Sequence, residues 1–240
     1  MVTDAKDLNF NKNNYVCFSN DFAFARQNLS KISAIILRIL ISNITPNDEE
    51  FFTYVFSVVE LANFLSINKS NIYTKRFEIS RELIAFTITI ENEKIRVLSN
   101  AEYINGYFYI KLSDQMAPFF LNLEKHYFQY PLGAVLLLKK SYSLRLFEIF
   151  WARDGFYNHE RSSLKFTVFE LREALGCKEK YSGFDLFHRK VLVPALKEIS
   201  LYTNLNVLIC NTVLDKNHRK IEKVELEIHK KPSAPGQILL

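Results

Sequence analysis

The 240 residues are 48% hydrophobic and 24% charged. That is the balance of an ordinary soluble globular protein, with chain enough for one large domain or two of about 110 to 120 residues. Charge is divided unevenly: residues 1–120 carry 12 Lys and Arg against 13 Asp and Glu, residues 121–240 carry 19 against 13, so the net +5 resolves into −1 and +6. A neutral half joined to a basic half points to a polyanion partner for the second, and charge breaks every apolar run well short of the ~18 residues of a membrane span.

The first 29 residues are polar with scattered aromatics (Phe10, Tyr15, Phe18, Phe22, Phe24), read as an N-terminal arm. They contain no apolar signal-peptide core, so a cytoplasmic protein is expected. From an N-cap at Ser30, Ile32, Ile35, Ile36, Ile39 and Leu40 keep helical spacing, and Pro46 and Asn47 close the segment. Phe51–Phe56 reads as a short strand, and Ser57-Val58-Val59-Glu60 as a capping box opening a helix through Leu65. A second helix is expected from about Asn71 to Ile84. Phe86–Ile90 and Ile95–Leu98 flank Glu91-Asn92-Glu93-Lys94 as a hairpin; Tyr107–Leu112 adds a strand and Asp114–Leu123 a connecting helix.

The same order then recurs. Ser141–Arg153 is a helix, Leu164–Phe166 a strand, and Thr167-Val168-Phe169-Glu170 a second capping box. Adding 110 to the residue number superposes the halves without a gap over residues 32–67: Ile39 falls on Ile149, Phe56 on Phe166, Ser57 on Thr167, Glu60 on Glu170, Leu61 on Leu171 and Leu65 on Leu175. Matching a capping box together with its flanking core positions is harder by chance than matching apolar residues alone. The chain therefore reads as an internal duplication with its boundary near residues 123–131.

In the second copy, Tyr181–Ile199 is an amphipathic helix with Ser182 as N-cap. Phe184, Phe187, Val191, Leu192, Ala195, Leu196 and Ile199 lie on one side; Arg189, Lys190, Val193 and Lys197 on the other. Strands Leu205–Cys210 and Ile221–Ile228 follow, joined by the charged turn Asp215-Lys216-Asn217-His218-Arg219-Lys220. A helix and then a hairpin with a basic tip is the outline of a winged helix, in which the helix enters the major groove and the tip grips phosphates.

Most charged helix faces are only solvated. Here Lys216, Arg219, Lys220 and Lys223 at the tip, with Lys178 and Lys180 in the approach loop, extend one basic surface. His188 falls near the apolar side, a boundary histidine rather than a base reader. In the first copy Asn71, Thr74 and Lys75 point outward, Glu78 and Glu82 dilute the field, and Lys94 and Arg96 are phosphate candidates on an acidic wing; a structural or dimerising role is an open alternative there.

Cys17, Cys177 and Cys210 are odd in number and unpaired in spacing, so they read as buried free thiols. The five histidines form no HxxxH or HxH pair, and no metal is expected. No GxxxxGK[ST] loop and no DxD are present, so the reading is non-enzymatic and without cofactor.

The pattern Tyr181-x-x-Phe184-x-x-Phe187-x-x-x-Val191-Leu192-x-Pro194-Ala195-x-x-Glu198-Ile199, preceded by Ser143-Leu144-Arg145-Leu146-Phe147-Glu148 and Phe169-Glu170-Leu171-Arg172, resembles the iteron-binding plasmid replication initiators of the Rep_3 family. The resemblance implies an α+β, mostly helical protein of two tandem winged-helix domains. Residues 1–124 would form the first (arm, DNA contact, dimerisation), 125–232 the second and principal DNA-binding one, and 233–240 a tail. It also implies binding to directly repeated double-stranded sites at an origin. Monomers would initiate and dimers repress the protein's own promoter, with the host replication initiator and the replicative helicase as partners. The family's second wing often turns on a Gly-Arg pair; here Asn217-His218-Arg219 stands without glycine, and Asn tolerates a left-handed turn. A transcriptional repressor without a replication role and a protein–protein module are the rival readings.

Overall fold

A computed structural model describes residues 5–90, 92–154, 160–181, 183–217 and 219–231. They divide into two units, one of Met1–Phe22 with Leu29–Leu132, the other of Ala23–Asn28 with Gly133–Leu240.

In the first unit β1 (Ala5–Asp7) runs parallel to β3, and β2 (Tyr15–Ser19) leads into α1 (Asn20–Phe24). Ser30 caps α2 (Lys31–Ile41), whose isoleucines are buried but for Ile32. After β3 (Thr53–Ser57), Ser57 and Glu60 form the expected capping box on α3 (Val58–Leu65), which ends on Ser66 with φ 53°. Asn68 caps α4 (Lys69–Ala85), which begins two residues before the expected Asn71. Four strands follow, β4 (Thr87–Ile90), β5 (Glu93–Arg96), β6 (Leu98–Ile104) and β7 (Tyr107–Leu112), then α5 (Ala117–Phe120) and β8 (Tyr127–Pro131).

The main sheet has the order β1-β3-β7-β6, while β2 pairs with β8 and β4 with β5. The polar N-terminal arm expected from composition is instead part of this core. Val16, Phe18 and Phe22 are fully buried, and Phe18 meets Phe22, Phe128 and Tyr130 through ring contacts with centroids 5.1, 4.8 and 6.4 Å apart. Alternation along β2 places Val16 and Phe18 inward, a period-two signal only five residues long. The β2–β8 ladder also carries residues 125–132 into the first unit, so the division falls at 132/133 rather than at the expected 124/125.

The second unit holds α6 (Gly133–Leu136), α7 (Ser141–Asp154), β9 (Arg161–Thr167), α8 (Val168–Ala174), α9 (Phe184–Phe187), a π turn over His188–Leu192, α10 (Val193–Tyr202), β10 (Leu205–Leu214) and β11 (Ile221–Lys230). Its sheet has the order β10-β11-β9. The segment 23–28 joins this unit because the buried Arg145, paired with Glu148 at 2.8 Å, also donates to the carbonyls of Ala23 and Ala25. Cys177 is buried and Cys17 partly so, burial pushing the Cys17 thiol up to about 11. Cys210, expected inside, is exposed on β10, an edge strand. Among the described residues no helix is long and apolar enough to cross a membrane.

The duplication is visible element by element. α2 and α7 begin at Lys31 and Ser141, α3 and α8 at Val58 and Val168, and each of the latter carries a complete capping box. A second shared device involves glutamates. Glu82 on α4 accepts from the backbone N–H and hydroxyl of Ser30 and from the hydroxyl of Ser33, at the start of α2. Glu198 on α10 accepts from the backbone N–H groups of Lys139 (2.8 Å) and Lys140 (3.1 Å) and from the hydroxyl of Ser143, at the start of α7. Glu82 therefore caps a helix rather than diluting an outward field.

Glu198 is 6% exposed and Ser143 fully buried, so Glu198→Ala strands the Ser143 hydroxyl and frees the part-buried N–H groups of Lys139 and Lys140. Unfolding in urea should show a loss of ~1–3 kcal/mol, with Glu198→Gln, which keeps one acceptor oxygen, losing less. Wild-type stability in the alanine variant would show that the clamp contributes nothing.

Candidate nucleic-acid interface

The π turn explains how the second unit presents its basic helix. Pro194 has no N–H for the carbonyl of Lys190, and its ring would crowd that carbonyl in a regular helix. The chain relaxes just upstream, where the Val193 N–H reaches back five residues to the His188 carbonyl. A π turn is one residue more than an α-helix needs, and comparison with α4 locates it. Buried Ile72 matches buried Phe187, 115 residues on, while Ile79 matches Ala195, Glu82 matches Glu198 and Leu83 matches Ile199, each 116 on. Arg189, Lys190, Val193 and Lys197 are exposed, and Phe187, Val191, Leu192, Ala195, Leu196 and Ile199 are buried, the two faces expected. His188 is half-buried and stacks on Phe184, centroids 5.5 Å apart.

The start of this helix differs from expectation. Regular helix begins at Phe184, and Gly183 occupies the N-cap without a side-chain bond; Ser182, the expected cap, lies outside the described residues. The approach loop is instead held by Arg172, which sequence reading did not single out as a site residue. Its guanidinium donates to the carbonyls of Lys178 (2.8 Å) and Lys180 and lies over the Phe187 ring. Lys178 and Lys180 are exposed; Lys178 Nζ is 3.4 Å from the Glu173 carboxylate and 4.9 Å from the Phe169 ring centroid. Gly176 turns into this loop at φ +63°, where an added Cβ would stand 3.0 Å from the Gln27 carbonyl oxygen.

The wing is the β10–β11 hairpin. β9 pairs with β11 only from Lys223 to His229, so the tip beyond Lys223 projects free of the three-stranded sheet. Lys216, Arg219 and Lys220 are exposed there. Glycine is replaced by a side-chain tie: the Asp215 carboxylate accepts from the backbone N–H groups of Arg219 (2.8 Å) and Lys220 (3.3 Å), and the Asp215 N–H donates to the Lys220 carbonyl. Asn217 is not among the described residues with positive φ, so the left-handed role expected of it is not used. Between tip, α8 and the start of α9 lies a cleft of about 510 Å³ lined by Phe169, Arg172, Lys178, Phe184, Arg219 and Lys220. Five of the residues expected to bind (Lys178, Arg189, Lys190, Arg219, Lys220) thus lie on the cleft or on the helix leading from it, with Lys180 and Lys216 beside them and Lys197 two helical turns on.

The first unit presents α4 in the same way, with Asn71, Thr74 and Lys75 exposed. Its wing, however, is not the acidic hairpin. β7 pairs with β3 as β11 does with β9, so the equivalent wing is β6–β7, while β4–β5 is a separate two-stranded insertion. Lys94 and Arg96 are exposed on that insertion and not on a wing. The wing tip is Asn105-Gly106, both with positive φ (50° and 95°), an Asn-Gly turn signal carried by the sequence. It is short and uncharged, and the Gly106 carbonyl accepts from the Val58 N–H.

Two units that each pair a solvent-facing helix with a β-hairpin wing define a tandem winged-helix protein, of the kind that binds nucleic acid. Residues 15–151 match the family described as Initiator Replication protein, WH1, and residues 167–228 the family described as Initiator Rep protein, WH2. The chain belongs to this family of replication initiators. It is 20% identical over 220 residues to a "Replication initiation protein" of Escherichia coli, a match covering 88% of this chain and 68% of that protein. Its fold matches the crystal structure of the Pi initiator protein in complex with iteron DNA, with a TM-score of 0.74 and 22% identity over 93% of this chain and 100% of that one.

The Asp215 carboxyl is held below its ordinary range, chiefly by the Arg219 N–H. Its hold on the wing is therefore complete above the pKa of a free aspartate and is lost only as pH falls through the lower, folded value. The Arg219 and Lys220 amide proton resonances should shift together in that acid window. Flat amide shifts through it would show that Asp215 does not tie the tip.

Proposed function

We propose that this protein is a non-enzymatic replication initiator that binds directly repeated duplex sites, iterons, at an origin. The observation that carries the reading is the basic surface of the second unit, where Arg189 and Lys190 stand on the exposed helix face and Arg219 and Lys220 on the wing side of one cleft. Among the described residues none of these four lies within ion-pair distance of a carboxylate. Arg189 and Lys190, with the nearby Lys180 and Ser182, read the major groove, while Lys178, Lys197, Lys216, Arg219 and Lys220 take phosphates.

The first unit contributes Asn71, Thr74 and Lys75 from α4 to an adjacent groove. Lys94 and Arg96 contribute only phosphate contacts from the inserted hairpin. Tethering makes the second docking event intramolecular, so two modest modules give tight binding to one long repeat. Dimers that repress the protein's own promoter, in equilibrium with initiating monomers, and contacts with the host initiator and replicative helicase complete the proposal.

Footprinting on the DNA flanking the gene should protect direct repeats, and binding should weaken steeply with salt. Arg189→Ala should cost ~1–3 kcal/mol on the repeat and relax preference at one base pair. Arg219→Ala should weaken repeat and random DNA alike and flatten the salt slope by about one unit. Absence of protected repeats, or persistence of a minimal replicon after deletion of the gene, would defeat the initiator reading.

A further inference from the structure

The one-residue offset between the two helices aligns more than their buried faces. Thr74 and Lys75 of α4 match Arg189 and Lys190, and Arg81 matches Lys197; all six are exposed. Between them, at matching positions 116 residues apart, stand Phe77 and Val193. Both are apolar and both are open to solvent, Phe77 by 54% and Val193 by 43%. A single exposed apolar residue needs no explanation. An apolar residue at the same place on both outward faces, with polar or basic side chains a turn before it and a cation a turn after it, is a pattern that folding does not require. Phe77 is moreover oriented: its ring meets Tyr103 of β6 edge-on, with centroids 5.6 Å apart, and the Arg76 guanidinium lies 4.4 Å from its centroid.

We propose that Val193 and Phe77 are specificity-determining residues, each reading the 5-methyl group of a thymine in the major groove. This rests on the initiator reading above. The chemistry is restrictive, because the base edges exposed in that groove are hydrogen-bonding groups with one apolar exception, the thymine methyl. Arg189, Lys190 and Lys75 can recognise acceptor atoms, but none of them distinguishes thymine from a base that lacks the methyl. An apolar side chain between such cations adds that distinction, and a face without it would read hydrogen-bonding pattern alone. The matched positions give each unit one such reader.

The test uses the full-length protein and a synthetic duplex of one protected repeat, made with thymine throughout or with each thymine singly replaced by deoxyuracil, which removes only the methyl. For the wild type, replacement at two thymines, one under each unit, should weaken binding about fourfold, the ~0.8 kcal/mol of one buried methyl-sized group. Val193→Ala should weaken binding to the unmodified repeat by a similar factor and become indifferent to deoxyuracil at its own thymine while staying sensitive at the other. Phe77→Ala should show the mirror result. Val193→Thr, which keeps one methyl, should retain part of the sensitivity. Equal deoxyuracil sensitivity of wild type and both alanine variants at every thymine would overturn the methyl reading while repeat binding stands. Failure of the wild type to prefer the unmodified repeat over random DNA would overturn the initiator reading itself.

Discussion

Each unit depends on a carboxylate carried by its solvent-facing helix, α4 or α10, and used at the start of another, α2 or α7. Glu198 and Glu82 accept from backbone and hydroxyl donors at the N-termini of α7 and α2, donors that have no partner within their own helices. A negative charge there also meets the positive end of the helix dipole. The functional consequence is positional. A helix offered to a duplex must keep its outward face in register while making few contacts on that face. The clamp fixes one end from the inside and leaves the other side chains free. Because Glu198 is almost fully buried, it ties orientation to fold stability: the helix cannot swing without exposing unsatisfied donors.

On that common scaffold the two copies diverge in charge and reach. The second wing extends past β9 and carries Lys216, Arg219 and Lys220, whereas the first turns at Asn105-Gly106 without a charge. The first copy also spends twelve residues between the end of α4 and the start of β6 on an extra hairpin, where the second passes from α10 to β10 through Thr203 and Asn204 alone. Duplication thus preserved what holds the helix and varied what surrounds it. The uneven charge of the two halves is the sequence-level trace of that divergence.

Legibility in the sequence followed the range of the interactions. The capping boxes at Ser57 and Thr167, the duplicated register and the two faces of the 184–199 helix were readable because each is written within a few residues. β2 reads as an arm because five residues of alternation are too few to stand out before β8 supplies the partner. The first wing is hard to place for a similar reason. Leu98–Ile104 has a bulge near Ser99 that spoils its alternation, and a strand's neighbour in a sheet is a long-range fact. Arg172 and Glu82 are legible as charges but not as ties, since Arg172 bonds backbone carbonyls that carry no residue signature and the Ser30 and Ser33 donors of Glu82 lie far away along the chain.

The π turn joins these threads. An inserted residue in a helix normally rotates everything after it by a full residue step and would carry Glu198 away from α7. Pro194 localises the extra residue to the turn just before it, since that is where a proline already costs the helix a hydrogen bond. Downstream, Ala195, Leu196, Glu198 and Ile199 regain the buried register of α4. Arg189 and Lys190 lie within the turn and are exposed, as Thr74 and Lys75 are at the matching positions of α4. The insertion therefore leaves both the exposed face and the clamp in register, and the two reading surfaces differ in the side chains they carry at matched positions.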